Sequence, residues 1–210
     1  MTVGDPVSGI ILAGGKSRRL GVDKTTLPWP PGNPEGRTLL DHTVEKLRLV
    51  CADLIVVGYR GERPLPQGVR AVSDAFPDSG PLGGLCAGLE AARQEHAFAV
   101  PVDMPFLSVE LLEWLIAQPR DYDVLAPIYG LVQTLHAIYA KRCVEVIRRR
   151  LAAGQRSMIG LLEDPALRVS YVEQAQVERL DPGARSLANL NTPEDLEEAV
   201  LSLRRTEETQ

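Results

Sequence analysis

The densest chemistry in the chain lies between residues 14 and 24, which read Gly14, Gly15, Lys16, Ser17, Arg18, Arg19, Leu20, Gly21, Val22, Asp23 and Lys24. Glycine lets backbone N–H groups approach an anion closely, and lysine and arginine neutralise it. A triphosphate needs both. Two familiar phosphate loops fail on spacing. A P-loop ending in Gly15, Lys16 and Ser17 requires glycine at position 10, which is Ile10. A dinucleotide fingerprint requires G-x-G-x-x-G and an acidic residue after the second strand, where this chain has Gly58.

A second group of residues follows other apolar runs. Asp103 ends the run Ala97 to Val102 and is held by the fixed φ of Pro105. It is a candidate ligand for magnesium, which prefers one or two carboxylates together with substrate phosphate oxygens. Asp74 is either a turn residue or a second acidic contact to metal, sugar or base. Gly80, Pro81, Leu82, Gly83 and Gly84 open a helix and suit either close helix packing or a ligand phosphate at helix N–H groups. Arg156, between Gly154 and Ser157, caps a helix or binds an acceptor phosphate there. Asn189 and Asn191 would face one side of a short strand, offering paired donors and acceptors, or else shape a turn. His136 reads as a core or rim residue ahead of an acceptor contact, and Arg148, Arg149 and Arg150 as a solvated helix face. Cys51, Cys86 and Cys143 read as buried thiols, with no metal or disulfide spacing.

These residues need a scaffold that gathers them. Strands are expected over Val7–Ala13, Leu54–Val57, Val69–Ser73, Ala97–Val102, Asp123–Pro127 and Leu135–Tyr139. Helices are expected after Thr38, over Gly80–Glu95, Val109–Gln118, Lys141–Ala153 and Met158–Glu163, and from Pro193 to about Leu203. Alternation of this kind calls for a doubly wound α/β domain with a mostly parallel sheet and helices on both faces. Ligands then sit outside the carboxyl ends of the strands, where the glycine loop, Asp74 and Asp103 all fall.

Composition sets limits. The chain has 210 residues, 44% of them apolar and 24% charged, and a formal net charge of -5. That is enough for one sizeable core, so a single domain is expected over residues 1–210, with a nucleotide part at about 7–130, an acceptor part at about 131–204 and a flexible tail. The acidic balance disfavours nucleic acid as the main partner. No stretch reaches the roughly 20 apolar residues of a membrane helix, and the start has no signal-peptide pattern, so the cytoplasm is the expected location.

Taken in order, LAGGKSRRLGVDK, SGPLGGLCAGL, VPVDMPFL, QTLHAIY, AAGQRSM and NLNTPEDL resemble the molybdenum cofactor guanylyltransferases along nearly the whole chain. The resemblance implies a Rossmann-like nucleotidyltransferase that joins GMP from GTP to molybdenum-loaded molybdopterin. It implies nucleotide contacts at Leu12, Ala13, Gly14, Gly15, Lys24 and Asp74, and magnesium on Asp103. Arg19, Gly80, Gly84, Arg156, Asn189 and Asn191 match positions tied to the pterin cofactor or to turnover. It further implies GTP and molybdopterin as substrates, transient contacts with other proteins of the cofactor pathway, and a monomer or weak oligomer. Two departures stand out: Gly58, where the family often has asparagine, and a longer loop from Trp29 to Arg37. A cytidylyltransferase of the same pathway, a sugar-phosphate nucleotidyltransferase and a non-catalytic GTP-binding regulator are the rival readings.

Overall fold

The computed structural model describes residues 5–14, 23–33, 35–76 and 78–207. Strand β1 (Val7–Leu12) is buried along its whole length, as a continuous apolar run must be when both faces of a sheet are covered. Strands β2 (Asp53–Val57) and β3 (Val69–Val72) extend the sheet on one side and β4 (His96–Pro101) on the other, all parallel. Parallel neighbours require long crossovers. Helix α1 (Leu39–Arg48) supplies one between β1 and β2, and α2 (Gly80–Ala91) another between β3 and β4.

Beyond β4 the sheet is mixed. Strand β5 (Val124–Tyr129) turns at Gly130, φ 65°, into β6 (Leu131–Val132), and β7 (Ala137–Ala140) returns antiparallel between β4 and β5. A further strand, β8 (Val169–Val172), pairs parallel with β5. The resulting order is β3-β2-β1-β4-β7-β5, with β6 and β8 both on β5.

Alternation along the central strands feeds two cores. Ile10, Leu12, Ile55, Val57 and Ala99 face α2, α4 (Cys143–Ala152) and α5 (Met158–Leu162). Ile11, Leu54, Val56, Phe98 and Val100 face α1, α3 (Val109–Ile116) and α6 (Gln174–Leu180). Helices therefore cover both faces of a doubly wound sheet.

The start of α1 shows which forces matter. Thr38 and Asp41 form a reciprocal capping box, worth about 1 kcal/mol. Burial of Leu39, Leu40, Val44 and Leu47 contributes roughly 1.5–3 kcal/mol each, so docking outweighs the cap. Helix α2 approaches β1 closely enough that a Cβ on Gly88 would lie 2.5 Å from Ile10 Cγ2, and one on Gly84 3.1 Å from Leu12 Cδ2. A third cluster joins Trp29, Leu39 and Leu190 to Ala199 of α7 (Pro193–Glu207). The longer loop thus has a structural anchor at Trp29, which is 2% exposed.

Several boundaries differ from expectation. Helix α2 stops at Ala91, because Ala92 is extended and Gln94 donates its N–H to Ser8 Oγ. Helix α7 continues past Leu203 to Glu207. Strand β8 and helix α6 are additions that no periodicity announced. No described helix is long and apolar enough to cross a membrane.

Candidate active site

The hydrogen-bond ladder carries three strand ends beyond the sheet. Ala13 N–H donates to Val57 O at 2.9 Å, and Val102 N–H donates to Leu12 O at 3.1 Å. Gly14, Gly58 and Asp103 consequently emerge along one carboxyl edge. Gly58 has φ 75°, and a Cβ there would stand 3.0 Å from Gly14 Cα. A side chain at 58 would push the two loops apart, so glycine at this position has a local steric reason.

Lys24 reaches the same edge from a single 3-10 turn (Lys24–Thr26), capped by Asp23, whose Oδ1 accepts from Thr25 N–H at 2.9 Å and Thr25 Oγ1 at 2.7 Å. Its Nζ lies 2.6 Å from Asp103 Oδ2 and 2.9 Å from Asn191 Oδ1. The paired side chains are only 13% and 16% exposed, so solvent screens them less than a surface ion pair. Asp103 Oδ1 is buried and has no hydrogen-bond partner among the described residues. An unsatisfied carboxylate oxygen is costly, and a hard divalent cation would satisfy it. Among the described residues no group of three or more His, Cys, Asp or Glu is placed to hold a metal. An ion on Asp103 would therefore draw its remaining ligands from substrate phosphates and water.

Asn189 and Asn191 do not lie on a strand. The segment is irregular, because Leu190 spends its N–H on Asp103 O at 2.9 Å rather than on a ladder. The alternation survives: Leu190 is 2% exposed and both asparagines are exposed. Asp74 follows β3, and its Oδ1 accepts from Phe76 N–H at 2.9 Å. Strands β3 and β4 are separated by three strand spacings, about 14 Å, farther than one ion spans. Gly80 supplies a left-handed residue (φ 65°) where α2 begins. Arg156 Nη1 donates to Asp78 O at 3.0 Å, which ties the turn before α5 to the loop before α2.

The structure thus brings Lys24, Asp103 and Asn191 into direct contact, sets Leu12, Ala13 and Gly14 beside them, and holds Arg156 near Gly80 along the α2 side. Gly15 and Arg19 lie outside the described residues. Asp195 is a functional candidate that sequence reasoning treated only as a helix start. Its Oδ2 accepts from Asn191 N–H at 2.7 Å. An open groove of about 590 Å³ between α3 and β8, lined by Trp114, Tyr122, Tyr171 and Gln176, touches none of these residues.

Other candidates resolve as structure. His136 precedes β7, is fully buried, and packs edge-on against Phe98 at 5.0 Å. Burial pushes its pKa down to about 3, so it is neutral, and it offers no exposed surface to an acceptor. The unfolded chain protonates this histidine below about pH 6.5 and the folded one does not. Stability is therefore full above about pH 6.5 and declines towards pH 3, by at most about 1.4 kcal/mol per pH unit from this group. His136→Leu is expected to flatten that part of the stability profile in denaturant titrations. An unchanged slope would clear His136 of the effect. Cys86 and Cys143 are buried as expected, whereas Cys51 is only partly covered. Burial pushes all three thiols up to about 12, away from nucleophilic use. Arg149 and Arg150 pair with Asp164, and Arg148 with Glu90, so the triplet braces α4 rather than merely facing solvent.

A doubly wound sheet gathers its ligands outside the carboxyl ends of its strands, which is where the Lys24–Asp103 pair stands. Residues 9–169 match the MobA-like NTP transferase domain, and the chain belongs to that family. A molybdenum cofactor guanylyltransferase of Desulfosudis oleivorans is 33% identical over 202 residues, covering 95% of this chain and 97% of the relative. A Mycobacterium avium protein named "Probable molybdenum cofactor guanylyltransferase" is 38% identical over 196 residues, 90% of this chain and 93% of its own. Molybdopterin-guanine dinucleotide biosynthesis protein A from Archaeoglobus fulgidus superposes with a TM-score of 0.76 at 25% identity, covering 95% of this chain and all of its own.

Proposed function

We propose that the protein transfers GMP from GTP to the phosphate of molybdenum-loaded molybdopterin, giving the guanine dinucleotide cofactor and pyrophosphate. The observation that carries this reading is Lys24 Nζ held between Asp103 and Asn191 at the sheet edge, with Asp103 Oδ1 left without a partner among the described residues. Family membership and relatives bearing that name support the choice of substrates.

The mechanism needs little from a protein base. A phosphate monoester has a second pKa near 6, so the acceptor phosphate is largely ionised at neutral pH and attacks the α-phosphorus directly. The new O–P bond forms as the bond to the β-phosphate oxygen breaks, and pyrophosphate leaves with that electron pair. Leu12, Ala13, Gly14, Gly15 and Asp74 hold the nucleotide. Asp103 would hold magnesium, which supplies charge neutralisation to the triphosphate when bound. Lys24 and Arg19 neutralise the charge that develops on the phosphates, the kind of preorganised stabilisation that dominates phosphoryl chemistry. Gly80, Gly84, Arg156, Asn189 and Asn191 bind the acceptor. A single domain in the cytoplasm, working as a monomer or weak oligomer with transient pathway partners, completes the reading.

Turnover with GTP, CTP and ATP, each beside molybdenum-loaded molybdopterin, tests it. Pyrophosphate release is expected with GTP at a rate at least about 100-fold above CTP. Equal or faster release with CTP makes the protein a cytidylyltransferase. GTP binding without release makes it a regulator.

A further inference from the structure

Lys24 is oriented by Asn191 as well as by Asp103, so whatever fixes Asn191 also fixes the lysine. Asn191 is exposed and sits in an irregular segment, which by itself gives a mobile amide. Its main chain is nevertheless held on both sides. Leu190 N–H donates to Asp103 O at 2.9 Å, and Asn191 N–H donates to Asp195 Oδ2 at 2.7 Å. The same Asp195 oxygen accepts Thr192 N–H at 2.8 Å, and Thr192 Oγ1 accepts Asp195 N–H at 3.2 Å. The last two bonds are an ordinary capping box. The bond to Asn191 is additional, and it leads out of the helix towards the site.

We infer that Asp195 is a positioning residue for nucleotidyl transfer: from the first turn of α7 it fixes the Asn191 peptide, and through Asn191 it aims the Lys24 ammonium. The inference rests on the transfer reading for its effect on rate, though not for its effect on Lys24 itself. The base from which Asp195 acts is firm. Helix α7 is docked by Ala199, Leu196 and Leu203 against Trp29, Leu39 and Phe106, the cluster that also buries Leu190. Trp29 is therefore linked through Leu190 and Asn191 to Lys24, five residues before it in the chain. The Asn191 N–H holds the Asp195 carboxyl below the usual carboxylate range, with Thr192 adding to this and the Lys24 charge contributing last. The carboxylate that accepts these bonds is thus the charged form at neutral pH, which makes stronger hydrogen bonds than a neutral acceptor.

A simple helix cap makes a different forecast. Loss of a cap costs about 1 kcal/mol of stability and nothing at the site. Loss of an aiming contact lowers kcat, because misplacement of a charged group by about 1 Å is worth up to about 100-fold. Asp195→Glu separates the two. Glutamate is the usual third residue of a capping box, so it keeps the cap while its longer arm moves the oxygen away from the Asn191 N–H.

The test compares the parent chain with Asp195→Ala, Asp195→Glu, Asn191→Ala and the Asp195→Ala/Asn191→Ala double variant. One readout is the rate of Lys24 acetylation by acetic anhydride, followed by peptide mass spectrometry with Lys46 of α1 as the internal reference. Lys24 is expected to react about 3- to 10-fold faster in both Asp195 variants, since its amine is less constrained. The other is kcat and KM with GTP and molybdenum-loaded molybdopterin. A fall in kcat of about 10-fold is expected with KM for GTP within about 2-fold, and no further loss in the double variant beyond Asn191→Ala. Unchanged Lys24 reactivity in Asp195→Glu, or losses that multiply in the double variant, overturns the inference. Faster acetylation in a protein whose parent form releases no pyrophosphate sinks the transfer reading and leaves the positioning role standing.

Discussion

Asp103→Ala is expected to fold normally and to lose at least about 1,000-fold in turnover, as removal of a carboxylate that would hold a charge-neutralising ion requires. The two effects separate because the two oxygens do different work. Oδ2 receives Lys24, and Oδ1 has no partner among the described residues. Loss of the carboxylate leaves Lys24 with Asn191 as an acceptor, so the cost to stability stays at about 1–3 kcal/mol. Loss of Oδ1 removes no contact among the described residues and takes away an oxygen that would bind the cation. Pyrophosphate release across a magnesium titration, beside a thermal melt, checks both halves. Asp103→Asn should behave like the alanine variant, because it keeps the shape and discards the charge. Near-normal turnover in either variant removes Asp103 from the mechanism.

Lys24→Ala is the second large effect, about 100- to 1,000-fold in kcat, the range for deleting one preorganised donor at developing charge. Its consequence for Asp103 is the opposite of the first variant's. The carboxylate loses its internal counter-ion, so magnesium should bind the nucleotide-free protein more tightly even as turnover falls. Lys24→Arg should recover less than a tenth of the activity, because a planar guanidinium fork is a poor match for a single ammonium held between Asp103 and Asn191. Isothermal titration with magnesium and single-turnover kinetics read the two effects separately. Weaker magnesium binding in Lys24→Ala would place the lysine on the metal's side of the chemistry rather than opposite it.

Much of this arrangement is legible in the residues. The expected strand Val7–Ala13 and the expected helix starts after Thr38, at Val109 and at Pro193 all found their elements within a residue or two, because local bonding and periodicity decide them. The direction of β7 was not legible, since nothing in Ala137–Ala140 distinguishes a parallel from an antiparallel neighbour. The nearest signal was Gly130, whose left-handed φ of 65° marks the hairpin that reverses the chain. Helix α6 lacks a side-chain cap bond at Glu173, and β8 is four residues long, so both fall below what pattern reading detects. At the site, the positions of Gly14 and Asp103 followed from the rule that ligands gather at strand ends. The contact of Lys24 with Asn191, 167 residues apart, did not follow from any rule, because it depends on how α7 docks.

That docking has a temporal meaning during synthesis. A nascent chain that has emerged only as far as Ala188 already contains every strand of the sheet and both members of the Lys24–Asp103 pair. It still lacks Asn191 and the α7 segment that seals Trp29. The ribosome therefore delivers α7 after every strand, and a half-made molecule holds the Lys24–Asp103 pair without the asparagine that contacts it.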